Sequence, residues 1–346
     1  MINRQIFRCL PLAICFVASG ASASTSALTA QEVLTQFNLV VLGNATSYSD
    51  VDGRSYVGGN VAGGIYEGHW SATPASNYAG LTVGGNASGL MVDNGGAFVA
   101  GSLSSSTVNN GASVVYGTAS NSSFNGTGTA YAASTSGWNN FNSGRVYSLT
   151  GALQTEATAA ASTNFGAVLT GLSTQLSHLS GTGGTISYNG SGRATFNAVA
   201  GANGVAVFDL TASDATKLFS QSEFDFNMGG ASTLIFNVDG ANVNIDANFL
   251  GGSAQAIGAK TLWNFYDASS VNIVSQFGGT VLAAGAAFTN WNNIEGDVLV
   301  KSLDQHGEIH LQPFSGTVPA VPEPETYAMM MVGLGLLGAV VRRRRA

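Results

Sequence analysis

Four short segments decide the fold: Val57-Gly58-Gly59-Asn60-Val61, Val83-Gly84-Gly85-Asn86-Ala87, Val99-Ala100-Gly101-Ser102-Leu103 and Val115-Tyr116-Gly117-Thr118-Ala119. They return at intervals of 26, 16 and 16 residues. Between them lie strand-like pieces such as Gly89-Leu90-Met91-Val92 and Ser106-Thr107-Val108. Short β segments of constant spacing, separated by Gly and Asn turns, predict the stacked coils of a β-solenoid. Each coil would bury its inward Val, Leu or Ala against the coils on either side. Small residues suit a narrow interior, and Gly and Asn suit corners that need positive φ. A sandwich of hairpins would instead show period-2 strands joined by two-residue turns. The 16-residue return argues against it.

The composition agrees with a Gly-rich β protein. The chain has 346 residues, of which 46 are Gly and only 9% are charged. Val, Ile, Phe and Tyr recur at regular intervals, unlike in disordered chains. Arg4, Arg8, Arg342, Arg343, Arg344 and Arg345 are terminal, which leaves six of the 12 basic residues in the body. Glu323 and Glu325 are terminal too, which leaves 17 of the 19 acidic residues and a body charge near −11. That charge disfavours nucleic acid or anionic lipid as a partner.

Composition changes between Ser148 and Ser180, where Gly thins out. Phe165, Val168, Leu169, Leu172, Leu176 and Leu179 follow helical spacing. The pattern predicts one long helix, about 153–180, stopped by Gly181-Thr182-Gly183-Gly184 and lying along the solenoid. Strand-like runs then resume. Val281 and Val298 are 17 residues apart, close to the earlier period, so stacking should resume as well.

The two ends read as export devices. Met1 to Ala23 holds Arg4 and Arg8, an apolar core from Leu10 to Ala18 and Ala21-Ser22-Ala23. This is the pattern of a secretory signal peptide cut after Ala23, with Ala21 and Ala23 as the signal peptidase site and the Sec machinery as partner. Cys9 and Cys15 both lie within it, so the mature protein would hold no disulfide and rely on its core alone. At the other end, Pro322-Glu323-Pro324 precedes an apolar run from Tyr327 to Val341 and the basic stop Arg342-Arg343-Arg344-Arg345. Fifteen residues at about 1.5 Å each fall short of a ~30 Å hydrocarbon core, so the segment would span only with thinning or snorkelling. The four arginines would stay cytoplasmic, with the rest of the chain outside.

The tail resembles the PEP-CTERM sorting signal of Gram-negative bacteria. Its parts here are Pro322, Glu323 and Pro324, the apolar run, and Arg342, Arg343, Arg344 and Arg345. That resemblance implies cleavage near Pro322-Glu323-Pro324 by an exosortase, and release to the envelope or extracellular matrix after transient anchoring in the inner membrane. The body resembles the choice-of-anchor A family. The residues that carry the likeness are Phe37-Asn38 to Gly43, Gly58-Gly59-Asn60, Trp263-Asn264-Phe265, Gly279 to Ala283, Ile294 to Val298, and His310-Leu311-Gln312-Pro313-Phe314-Ser315-Gly316. It implies an adhesin-like role and brings no catalytic residue. A weaker likeness to bacterial ice-binding proteins concerns the fold. Ice recognition would need a repeating Thr-x-Thr array, and the sequence shows only Thr127-Gly128-Thr129.

The fold expectation is therefore mainly β: a right-handed β-helix-like solenoid over 24–316 with one helix alongside. A signal peptide (1–23), a linker with the sorting motif (317–326) and a short transmembrane helix with its basic stop (327–346) complete the chain.

Candidate chemistry is sparse. Asp50-Val51-Asp52-Gly53 could offer oxygen ligands to calcium, but the remaining ligands of an EF-hand loop are missing, and turn chemistry explains Asp-Gly equally well. His306, Glu308 and His310 would share one face of a strand, where zinc is conceivable. Trp70, Tyr78, Trp138 and Phe141 could stack on sugar rings or pack against the body. No nucleophile elbow, P-loop or dinucleotide fingerprint occurs. No catalytic residue, metal or cofactor is expected. The leading expectation is a non-enzymatic surface or matrix protein that meets extracellular polysaccharide through many weak contacts. A polysaccharide-active β-helix enzyme and an ice-binding protein are the alternatives.

Overall fold

The four repeat valines stand in one column. Val57 pairs with Val83, Val83 with Val99 and Val99 with Val115, in parallel and in register. Val281 pairs with Val298 in the same way. The computed structural model describes residues 27–68, 76–249 and 252–319. Several expectations lie outside the described residues. They are the signal peptide with Ala21 and Ala23, the sorting residues Pro322, Glu323 and Pro324, and the apolar segment with Arg342, Arg343, Arg344 and Arg345. Trp70 lies outside them too.

A parallel sheet of 25 strands wraps around the solenoid. Each full coil contributes three short strands, such as Ser55–Val57, Val61–Ala62 and Ile65–Tyr66, so three faces result. Leu39–Val41 pairs with Ser55–Val57 on one side and with Val298–Gln305 on the other. The chain therefore enters in the middle of the stack. It winds outward through Leu81–Val83, Ala97–Val99, Ser113–Phe124 and Ala130–Phe141. It re-enters at the far end with Val205–Leu210, then passes inward through Thr233–Val238, Thr261–Asn264 and Thr280–Asn290 to Val298–Gln305. Thr185–Tyr188, Arg193–Asn197, Glu223–Asn227 and Asn248–Phe249 form a separate four-stranded sheet.

Two residue types explain the Gly-Gly-Asn corner. A Cβ at Gly59, Gly85 or Gly101 would press on the carbonyl of residue 43, 59 or 85 and on the side chain of Asn44, Asn60 or Asn86, one coil away. Only Gly allows that approach. The Asn side chains cap the next coil. Asn44 Oδ1 accepts from the Asn60 N–H, Asn60 Oδ1 from Asn86 and Asn86 Oδ1 from Ser102, each at 2.8 Å.

Five α-helices accompany the sheet among the described residues: α1 (Ala30–Gln36), α2 (Ala152–Ala160), α3 (Phe165–Ser177), α4 (Ala212–Phe219) and α5 (Ser253–Gly258). The single helix expected over 153–180 is two. Ala161 ends α2, and the Asn164 side chain accepts from the Ala167 N–H at 3.0 Å to start α3 afresh. Thr163 is taken up by a different bond, accepting from the Leu28 N–H. The apolar stripe itself is as expected. Phe165, Leu169, Leu172 and Leu176 are buried against Val40, Ile235, Leu262, Leu282 and Leu299, which point outward from one sheet face. That face is apolar on both sides, as parallel sheets under helices are. Burying each such side chain is worth about 1.5–3 kcal/mol. Among the described residues no helix is long and apolar enough to cross a membrane.

Candidate functional site

The closing motif is a seam between the two ends of the domain. Asn38 opens the first coil and is buried. Its amide donates to Gly296 O and His310 O, both at 3.1 Å, and its Oδ1 accepts from the Gly53 N–H at 3.1 Å. Asp297 accepts from the Phe314 N–H at 3.1 Å and from the Thr280 hydroxyl. Burial pushes its carboxyl well above the usual range, against those hydrogen bonds. Glu295 accepts from Gln276, Gln312 and His310. Burial opposes the charge on His310, but its bonds to Glu295 (2.8 Å) and Glu308 (3.1 Å) outweigh that and raise its pKa. These residues join chain ends.

The candidate metal ligands are dispersed. His310 faces Glu295 and Glu308, whereas His306 bonds Asp304 at 3.2 Å and lies in an aromatic stack. Asp52 accepts from the Leu311 N–H at 3.0 Å, while Asp50 accepts from the Ser49 hydroxyl. Among the described residues no group of three His, Cys, Asp or Glu could hold a metal ion. Of the candidate aromatics, Tyr78 packs edge-on against Phe37 and Phe165, and Phe141 stacks on Phe124. Trp138 stays 64% exposed near the end of the outward-wound half.

A different constellation occupies the corner between the second and third strand of the coils, away from α3. Asn290, Gln305 and Ser47 hold the same position in three adjacent coils. The next residues, Trp291, His306 and Tyr48, form one column. Trp291 and His306 stack with centroids 4.1 Å apart and 10° between planes; His306 and Tyr48 stack at 5.1 Å and 22°. Buried amides hold the column from below. Ser47 Oγ donates to Gln305 Oε1 at 2.7 Å, and Gln305 Nε2 donates to Asp50 O and Gly307 O. Asn290 also donates to Gly307 O at 2.8 Å. At one end Trp291 Nε1 donates to Asn272 Oδ1 at 3.0 Å. At the other end Tyr48 is 71% exposed and borders an open groove of about 540 Å³ along Gly63, Gly64 and Gly89.

Beside this corner runs a face of small polar side chains. Register places Asn244, Asn272, Thr289, Asp304 and Thr46 in one row, which continues through Ala62 to Ser88, Ser104, Ser120 and Ser136. Asp304 is the one carboxylate in the row. Such a surface offers hydrogen bonds at regular spacing, and its Asp304 pairs with His306 of the aromatic column.

The sequence patterns single out neither Tyr48 nor Trp291, and they show His306 only as a conceivable zinc ligand beside Glu308 and His310. The signal was present: Ser47-Tyr48, Asn290-Trp291 and Gln305-His306 each set a polar residue before a ring, 15 residues apart in the last two. It is visible only once the coil register is known.

Two family profiles match the chain. The one described as "Putative Ice-binding-like adhesive domain" covers residues 30–311, and the PEP-CTERM protein-sorting motif covers 320–345. No curated protein and no solved structure matches. With its first profile spanning most of the sequence, and the corners and the aromatic column inside it, the chain belongs to the family of ice-binding-like adhesive domains.

Proposed function

We propose that this protein is a non-enzymatic adhesin or structural component of the cell surface or extracellular matrix. An exosortase would act on its tail at Pro322-Glu323-Pro324. One observation carries the reading: an adhesive domain stands directly ahead of a sorting motif in one chain. The choice-of-anchor A likeness points the same way. In this reading the Sec machinery exports the chain after cleavage behind Ala23. The apolar segment and the basic stop of Arg342, Arg343, Arg344 and Arg345 hold it in the inner membrane until the tail is cut. The polar row and the exposed aromatic corner then meet polysaccharide or another surface through many weak contacts.

The test is twofold. Protein recovered from the native cell surface and medium should have a mass ending near Pro324, and a deletion strain should attach less well. An intact mass running to Ala346 would make the tail a plain anchor. Unchanged attachment, together with no affinity of the purified protein for the native matrix, would remove the adhesive role.

A further inference from the structure

We infer that the groove beside Tyr48 binds one ring of a neutral polysaccharide, with the free face of Tyr48 as the stacking platform. This rests on the adhesive reading and names the ligand class of that surface.

The geometry of the column sets the platform. Three rings from adjacent coils stack in sequence, so His306 covers one face of Tyr48 and Trp291 covers the far face of His306. Asn272 holds Trp291 at the closed end. The coil beyond Tyr48 presents no ring. It presents Gly63 and Gly64, both at positive φ, and the next coil presents Gly89. The open face of Tyr48 therefore looks along a groove lined by these glycines and by Ile65 and Met91. A flat ring entering there would become the fourth member of the stack. Tyr48 is fixed beforehand by His306 and by the buried Ser47–Gln305 bond, so little side-chain freedom is lost on binding.

The rim sets the ligand chemistry. Ser49, Asp50 and Ser105 border the groove and supply hydroxyls and a carboxylate. A carboxylate accepts hydrogen bonds from sugar hydroxyls and repels uronate, sulfate or phosphate. The acidic body adds to that repulsion. An aromatic face with hydroxyl-bonding groups around it matches a neutral pyranose, apolar on its ring face and polar at its edge. The volume of about 540 Å³ lies within the range of small-molecule sites.

The experiment uses the mature protein with cellohexaose, maltohexaose and laminarihexaose as neutral probes and hexagalacturonate as the anionic one, read by calorimetry. At least one neutral probe should bind, and hexagalacturonate should not. Tyr48→Ala should weaken binding about tenfold or more, as loss of a central aromatic anchor does. Gly89→Asn should weaken it as well. A Cβ at Gly89 meets nothing within 4 Å, and Ser105 and Asn121 already hold positive φ at the matching corners, so an Asn there folds and fills the groove. Trp138→Ala, away from the groove, should bind as the parent does. Unfolding midpoints of all variants are measured alongside. Native-matrix binding that persists in Tyr48→Ala, with no neutral probe bound, overturns the site and leaves the adhesive reading standing. Loss of matrix binding in the parent protein itself would overturn both. Equal binding of hexagalacturonate, or a change in oligomeric state with Tyr48→Ala in place of lost sugar binding, overturns the ligand class.

Discussion

Replacing Asn38 by Ala tests whether the seam holds the solenoid together. The side chain serves three backbone groups on three segments: the Gly53 N–H and the carbonyls of Gly296 and His310. Asp297 Oδ1 is a fourth, longer contact at 3.5 Å. Gly53 and Gly296 are buried and His310 is partly so. A buried polar group that loses its partner costs about 1–3 kcal/mol. Two such groups and a partly wetted third give a loss of about 2–6 kcal/mol, a large fraction of a typical stability of about 5–15 kcal/mol. Asn38→Asp should cost more, because a carboxylate would face two carbonyls and Asp297. The assay is urea unfolding of the mature protein followed by circular dichroism. Stability is taken from the midpoint and slope. A loss under about 1 kcal/mol for Asn38→Ala would refute the reasoning, since solvent would then be serving groups that the structure shows as buried.

Three further outcomes follow from the packing. Burial raises Glu67 to about 7 and Glu156 to about 8, with Arg54 opposing in each case. Folded-state values above the unfolded value of about 4.5 mean that this stability is full below pH ~4.5 and falls as pH rises through 7 and 8. Glu156→Gln should flatten that fall in a thermal-denaturation series across pH. Leu172→Ala on α3 should cost about 2–5 kcal/mol in urea unfolding, as a fully buried Leu does. Asn86→Ala removes one corner cap at an exposed position and should cost about 0.5–1.5 kcal/mol in the same assay.

The solenoid was legible because its period is written in the residues that touch from coil to coil. Val57, Val83, Val99 and Val115 fall in one column because the spacing of their segments is the length of a coil, with ten extra residues of sequence between Val57 and Val83. The α3 stripe was legible for the same reason, since its face meets a single flat partner. The break at Asn164 was not, because an Asn inside an apolar pattern reads equally as a solvent-facing residue. Two helices had readable starts that were passed over. Thr29 with Glu32 and Thr211 with Asp214 are capping boxes in the sequence and in the structure. The aromatic column depends on contacts between residues 48, 291 and 306, from opposite ends of the chain. No local pattern contains that distance.

The discontinuity of the solenoid bears on how a tethered domain could present its surfaces. The chain stays on the seam through Gln312 and Phe314 and then turns toward α3. Phe314 is buried with α1 and α3 residues, its N–H donating to Asp297. The Thr317 N–H then donates to Thr233 Oγ1, and Gln175 of α3 donates to Pro319 O at 2.7 Å. The last described residues thus run along the helix-covered face, toward the start of the sorting motif at 320. The aromatic corner and the polar row lie on the other two faces. A solenoid with its chain end threaded through its own coils would give up part of those faces to the exit. Here the exit passes Ala259 at the end of α5 and then Thr233 and Gln175, none of which belongs to the aromatic column or the polar row, so tethering through the tail and contact through those residues do not compete. Shortening the chain after Thr317 should therefore leave sugar binding unchanged, whereas losing the Phe314 anchor should destabilise the whole domain.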